Sequence, residues 1–140
     1  MTKLVLVSHG TLCEGMRSAL KMLTDNEIDI AAVSLGSSGV GVFRGQLHAA
    51  VTATSGDLII AADLMGGTPC NEATALALSN PERIRVLAGM NLPMLAECVI
   101  ALMTGSPVDE AIVRGLKAGR DGVRPVELPI NQNQPDDDLF

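Results

Sequence analysis

Two residues far apart in the chain, His9 and Asp63, carry groups that could work as one reactive unit. Near neutral pH an imidazole is largely uncharged and keeps one ring nitrogen free as a nucleophile. Which nitrogen is free depends on what the other one donates to. A carboxylate accepting from one nitrogen leaves the other for attack. If that nitrogen takes a phosphoryl group the ring becomes cationic, and the same carboxylate stabilises it, the logic of His-Asp pairs in general. Glycines surround both residues: Gly10 follows His9, and Gly66-Gly67-Thr68-Pro69 follows Asp63. Glycine permits close backbone approach and unusual dihedrals. The first N–H groups after Thr68 lie at the positive end of a helix dipole, a seat for phosphate oxygens. The Thr68 hydroxyl either caps its own helix or donates into the site.

Each piece alone has a plainer reading. An isolated His9 reads best as a satisfied polar residue at a strand end, Asp63 as a cap, and Gly66-Gly67 as a tight turn. No GK[ST] phosphate loop occurs, and no GxGxxG opens a helix after a strand. His48 falls inside a helix with no partner nearby in sequence, which assigns it to an exposed or half-buried face. Cys13, Cys70 and Cys98 are odd in number and form no CxxC or metal spacing, so reduced cytosolic thiols are expected, with no metal and no cofactor. The methionines Met16, Met22, Met90, Met94 and Met103 read as adaptable core filler, with Met65 the exception, on the surface beside the site.

The elements that must position these groups alternate. Strands are expected at Lys3–Val7, Ile30–Ser34, Asp57–Ala62, Arg83–Ala88 and Val123–Glu127. Helices are expected at Leu12–Leu23, Val42–Thr54, Thr68–Leu78, Leu92–Met103 and Val108–Ala118. Thr68 serves as a cap there and Pro69 as the first helical residue. Gly36–Gly41 reads as a flexible loop and Gly119–Gly122 as a turn. Short apolar runs such as Leu4-Val5-Leu6-Val7 suit strands buried on both faces. Alternation of this kind predicts an α/β fold: a doubly wound, mainly parallel sheet with helices on both faces. His9 and Asp63 then both lie at carboxyl ends of strands, where such sheets present ligand groups.

Composition narrows the function classes. The chain has 140 residues, 47% of them hydrophobic and 1% aromatic, so its core is built from Ala, Val, Leu, Ile and Met. Scarce aromatics argue against stacking on bases, and a net charge of −6 disfavours nucleic acid or an anionic membrane. No run reaches a membrane span, and the opening apolar run is too short for a signal-peptide core. A cytoplasmic protein is expected, with one domain over residues 1–130 and a mobile acidic tail, Asn131–Phe140, that holds Asp136-Asp137-Asp138.

Four segments taken in order resemble the IIA component of the mannose family of the phosphoenolpyruvate:sugar phosphotransferase system. They are Val7-Ser8-His9-Gly10, Asp63-Leu64-Met65-Gly66-Gly67-Thr68-Pro69, Asn71, and Gly89-Met90-Asn91-Leu92-Pro93-Met94. The similarity extends from the start to about Val126. It implies a homodimer in which the last strand, Val123–Glu127, adds to the partner's sheet. It implies that His9 accepts a phosphoryl group from phospho-HPr and passes it to a IIB subunit, which phosphorylates sugar as the membrane IIC and IID subunits transport it. Asp63 would hold the ring, with Gly10, Gly66, Gly67 and Thr68 near the phosphoryl group. Loop position adds Leu12, Met65, Leu92 and Arg44 as a rim that meets the partners. The family's IIA does not touch sugar, so mannose, fructose, sorbose, amino sugars and acids such as gluconate stay open. IIB is expected on a separate chain.

The loop Gly36–Gly41 departs from the family in being rich in glycine and poor in charge. A related group acts in dihydroxyacetone phosphorylation, but carries serine and alanine where this chain has Gly67-Thr68-Pro69. A non-catalytic regulatory module of the same fold has no need of the His9–Asp63 pair. A small-molecule hydrolase would lack both a metal cluster and a GxSxG turn.

Overall fold

The computed structural model describes residues 2–24 and 28–130. The expected acidic tail lies outside them. Four strands, β1 (Lys3–His9), β2 (Ile30–Leu35), β3 (Leu58–Ala62) and β4 (Ile84–Leu87), form one sheet in the order β2-β1-β3-β4. Every pairing is parallel. Five helices connect or follow them: α1 (Leu12–Leu23), α2 (Val40–Thr52), α3 (Thr68–Ser79), α4 (Leu92–Met103) and α5 (Val108–Asp121).

The two-residue period of a strand divides the core. Leu4, Leu6, Ile59 and Ala61 face one side and pack with Cys13 and Leu20 of α1, Leu95 and Val99 of α4, and Ala111 of α5. Val5, Val7, Leu58, Ile60 and Ala62 face the other and pack with Phe43, Leu47 and Val51 of α2 and Ala73 of α3. Both faces of β1 and β3 are therefore sealed, which is why their sequences are apolar without alternation. Burying a Leu or Ile side chain of this kind contributes about 1.5–3 kcal/mol.

The chain leaves β1 in one direction to reach β2 and in the other to reach β3 and β4. The carboxyl ends of β1 and β3 therefore flank the point where the winding reverses, the place open α/β sheets use for ligands.

Some boundaries differ from the sequence reading, each for a physical reason. β1 runs two residues past Val7, because Ser8 and His9 still pair with Ser34 and Leu35 of β2. α5 continues to Asp121 where a turn was expected after Ala118. Gly119 is helical there because it lies against α4; a Cβ at that position would come 2.7 Å from Met94 Cβ. Val123–Glu127 forms no strand: it is exposed, irregular chain that bends after α5, and β4 ends the sheet. A strand needs a neighbouring ladder, and the described residues supply none. Met22 and Leu23, at the end of α1, are exposed rather than core, whereas Met90 and Met94 are buried.

Candidate functional site

His9 is the last residue of β1, and Asp63 is the first residue after β3. These strands are neighbours, with Val7 paired to Ala62, so register closes a gap of 54 residues. The Asp63 N–H donates to the Val7 carbonyl at 3.2 Å, carrying the ladder one step past β3. Asp63 Oδ2 then accepts from the His9 backbone N–H at 2.9 Å and lies 2.8 Å from His9 Nδ1.

Electrostatics assign the proton. Burial pushes the Asp63 carboxyl up, but the His9 backbone N–H, the ring hydrogen bond and the ring charge together outweigh it. The carboxyl is held below its ordinary value of 3.8 and is ionised near neutrality. An ionised carboxylate only accepts, so Nδ1 is the donor, and in the neutral ring Nε2 is the nitrogen left with a lone pair. The His9 side chain is 48% exposed and that of Asp63 only 10%. The imidazole faces solvent while the carboxylate beside it is shielded. Asp63 Oδ1 is buried with no hydrogen-bond partner among the described residues, so His9 is the only side chain that Asp63 engages.

The glycines make the site's shape. Leu64 through Gly67 form a turn closed by Gly67 N–H donating to the Leu64 carbonyl at 3.2 Å. Its third residue, Gly66, has φ +79°, which favours glycine. Gly67 lies against the imidazole: a methyl there would come 2.8 Å from His9 Cε1 and 3.5 Å from Nε2. Gly10 takes φ +57° as the chain turns from β1 toward α1.

Thr68 is the first residue of α3 and Pro69 the second, and the cap position falls on Gly67. The expected capping by Thr68 is therefore absent, and its side chain, half-buried, belongs to the first turn next to Gly67. The first N–H groups of a helix have no partner within it. Gly67, the cap of α3, lies beside the ring, so the helix opens next to it.

Around the ring, Leu12 (50% exposed) and Met65 (79%) are open to solvent as expected. Leu92 is half-buried against the α1–α4–α5 core, so it offers less surface than loop position implies. Arg44 is not free: its guanidinium makes a two-pronged bond to Glu72 at 2.9 and 2.8 Å, tying α2 to α3. His48 is exposed on α2. All three cysteines are free and buried, and burial pushes the Cys98 thiol up to about 11. Among the described residues no His, Cys, Asp and Glu cluster could hold a metal, and no helix is long and apolar enough to cross a membrane.

Sequence reasoning missed Ser8. Its hydroxyl is fully buried, accepts from Cys13 N–H at 2.8 Å and donates to the Gly10 carbonyl at 3.0 Å. It fastens the start of α1 to the turn that carries His9. A hydroxyl beside a histidine was visible; its partner five residues on was not. Leu64 and Val42, which the sequence reading did not single out, are also exposed on a loop and a helix start at this end of the sheet.

A parallel four-stranded sheet with an exposed imidazole held by a carboxylate defines a class of histidine-bearing α/β domains, and comparison with known proteins narrows it. Residues 3–114 match the family described as EIIA-man, PTS system fructose IIA component. The chain belongs to this family, the mannose-type EIIA components of the phosphotransferase system. It is 28% identical over 138 residues to the PTS system mannose-specific EIIAB component of Escherichia coli strain K12, a match covering 94% of this chain and 42% of that protein. The chain thus spans about two-fifths of that relative's length. It is 30% identical over 101 residues to the PTS system sorbose-specific EIIA component of Klebsiella pneumoniae, covering 71% of this chain and 73% of the other. The solved mannose/sorbose specific IIA subunit of the phosphotransferase system from Enterococcus faecalis superposes with a TM-score of 0.79 at 33% identity, covering 91% of this chain and 96% of that one.

Proposed function

We propose that this chain is a cytoplasmic phosphocarrier in which His9 Nε2 accepts a phosphoryl group from phospho-HPr and hands it to a IIB subunit of a sugar transport system. One observation carries it: the 2.8 Å contact between His9 Nδ1 and Asp63, which leaves Nε2 free on a half-exposed ring. In the first step the Nε2 lone pair forms a bond to phosphorus. The bond from phosphorus to the donor atom breaks, and its electron pair stays with the donor. Nδ1 keeps its proton, so the phosphorylated ring is cationic and faces the Asp63 carboxylate. In the second step the IIB nucleophile attacks phosphorus, the pair of the P–Nε2 bond returns to the ring, and His9 is neutral again. Gly66 and Gly67 let the backbone approach, and the opening N–H groups of α3, beside Thr68, favour the phosphoryl oxygens.

Exposed Leu12, Leu64 and Met65 would meet both partners in turn, as a relay with modest, transient interfaces requires. A homodimer also follows. β4 presents an open edge, and beside it lies an apolar groove of about 370 Å³ lined by residues that include Cys70, Leu78, Ile84 and Val86. Val123, Val126, Leu128 and Ile130 are apolar and 75–94% exposed. Adding this segment to the β4 edge of a second copy would satisfy both surfaces. Coupling to IIC and IID would be indirect, through IIB, with no cofactor.

The test supplies the chain with enzyme I, HPr and phosphoenolpyruvate. An acid-labile, base-stable phosphate is expected on the wild type and none on His9→Ala. Equal labelling of His9→Ala would overturn the assignment.

A further inference from the structure

Asn71 stands in the sequence beside the glycine turn, yet the transfer chemistry above gives it no part. It lies in the first turn of α3, with its side chain open to solvent. Its backbone N–H donates to the Gly67 carbonyl at 2.9 Å. Its side-chain Nδ2 donates to the Gly66 carbonyl at 3.2 Å. One residue therefore holds two successive carbonyls of the turn from the helix side. The same turn touches the ring from its other side, where Gly67 approaches Cε1 and Nε2 too closely to carry a Cβ.

From this geometry we infer that Asn71 is a positioning residue for phosphoryl transfer: its carboxamide fixes the Gly66–Gly67 turn against the reactive edge of His9. The inference rests on the phosphocarrier function proposed above. Gly66 has φ +79° and glycines are free to leave such a state, so the turn's shape needs an external restraint. The backbone bond to Gly67 is part of the helix and survives any replacement of the side chain. The side-chain bond to Gly66 does not. Without it the peptide between the two glycines is held only by the Gly67 N–H bond to the Leu64 carbonyl, and the turn that touches Cε1 and Nε2 is less firmly placed. Asn71 touches neither the ring nor, in this geometry, the transferred group; it acts through the turn.

Its exposure makes the proposal testable without damage to the core. Asn71→Ala removes the donor, and Asn71→Asp keeps the shape while replacing the donor with an acceptor that repels the Gly66 carbonyl. Single-turnover phosphorylation by phospho-HPr is measured over a range of donor concentrations, with circular dichroism as the check on folding. The rate at saturating donor is expected to fall about ten- to a hundredfold in both variants, the size of loss that follows when a reacting group is slightly misplaced. The half-saturating donor concentration should change less than threefold, and Asn71→Asp should be no better than Asn71→Ala. A surface or folding role would move the concentration dependence or the fold and leave the saturated rate intact. A folded variant of either kind with a saturated rate within twofold of wild type overturns the proposal. If wild type takes no label at all, or if His9→Ala labels equally, the phosphocarrier function itself fails and takes this inference with it.

Discussion

One oxygen of Asp63 accepts two hydrogen bonds from one residue, His9: the backbone N–H at 2.9 Å and ring Nδ1 at 2.8 Å. The pair is therefore both a fastening between β1 and the end of β3 and an orienting contact for the ring. A single atom thus serves both contacts, so on the proposed function stability and activity are linked there.

Asp63→Asn separates the two roles. The amide oxygen still accepts, so the fold should persist, but the negative charge opposite the phosphorylated ring is gone. Hydrogen bonds to charged groups contribute about 1.5–3 kcal/mol, which converts to about a ten- to hundredfold loss in transfer rate. Single-turnover labelling measures this, and a rate equal to wild type would show that the charge has no part in the step.

The same carboxylate makes stability depend on pH. Its folded value lies below the ordinary 3.8 because the interactions with His9 outweigh burial. The unfolded chain thus binds the proton more readily, and stability rises with pH through the interval between the two values. The contribution is complete above about pH 4–5 and is lost as pH falls through the lower folded value. Urea unfolding at pH 6 and pH 3 should show a larger loss on acidification for wild type than for Asp63→Asn. An equal loss would mean that Asp63 is not the linked group.

Two glycines should respond in opposite ways to alanine. At Gly67 the new methyl would lie 2.8 Å from His9 Cε1, so the ring or the turn must move. A folded protein with transfer slowed about tenfold or more is expected, given how steeply rate depends on placement. At Gly45, inside α2 and exposed, a Cβ meets nothing within 4 Å. Gly45→Ala should raise stability by about 0.5–1 kcal/mol, read by denaturant unfolding.

The proposed homodimer has its own test. Val126 is 85% exposed and Ile130 94% exposed, an arrangement suited to a second copy rather than to water. Val126→Asp with Ile130→Asp should shift the protein toward monomer in sedimentation while leaving the helical signal unchanged. A dimer of undiminished strength would rule this segment out as the joint.

Much of the fold was legible because β1 and β3 are sealed on both faces, leaving runs such as Leu58-Ile59-Ile60-Ala61-Ala62 with no polar break. The His9–Asp63 pair was legible because both residues end such runs. What stayed hidden depends on partners distant in sequence. Val123–Glu127 has strand composition but no ladder within its own chain. Gly119 reads as a breaker, yet α5 continues through it because α4 leaves no room for a side chain. Arg44 reads as a rim residue facing partners, and only the crossing of α2 and α3 reveals Glu72. The tautomer of His9 required the distance to Asp63, which spacing alone does not supply.

The chain has two histidines, His9 and His48, and the central claim concerns one nitrogen of one of them. Nitrogen-15 NMR of histidine-labelled protein, recorded before and after phosphorylation by phospho-HPr, reads it directly. Phosphorus coupling is expected at Nε2 of His9, with Nδ1 still protonated and His48 unchanged. Coupling at Nδ1 of His9, or at His48, would contradict the account.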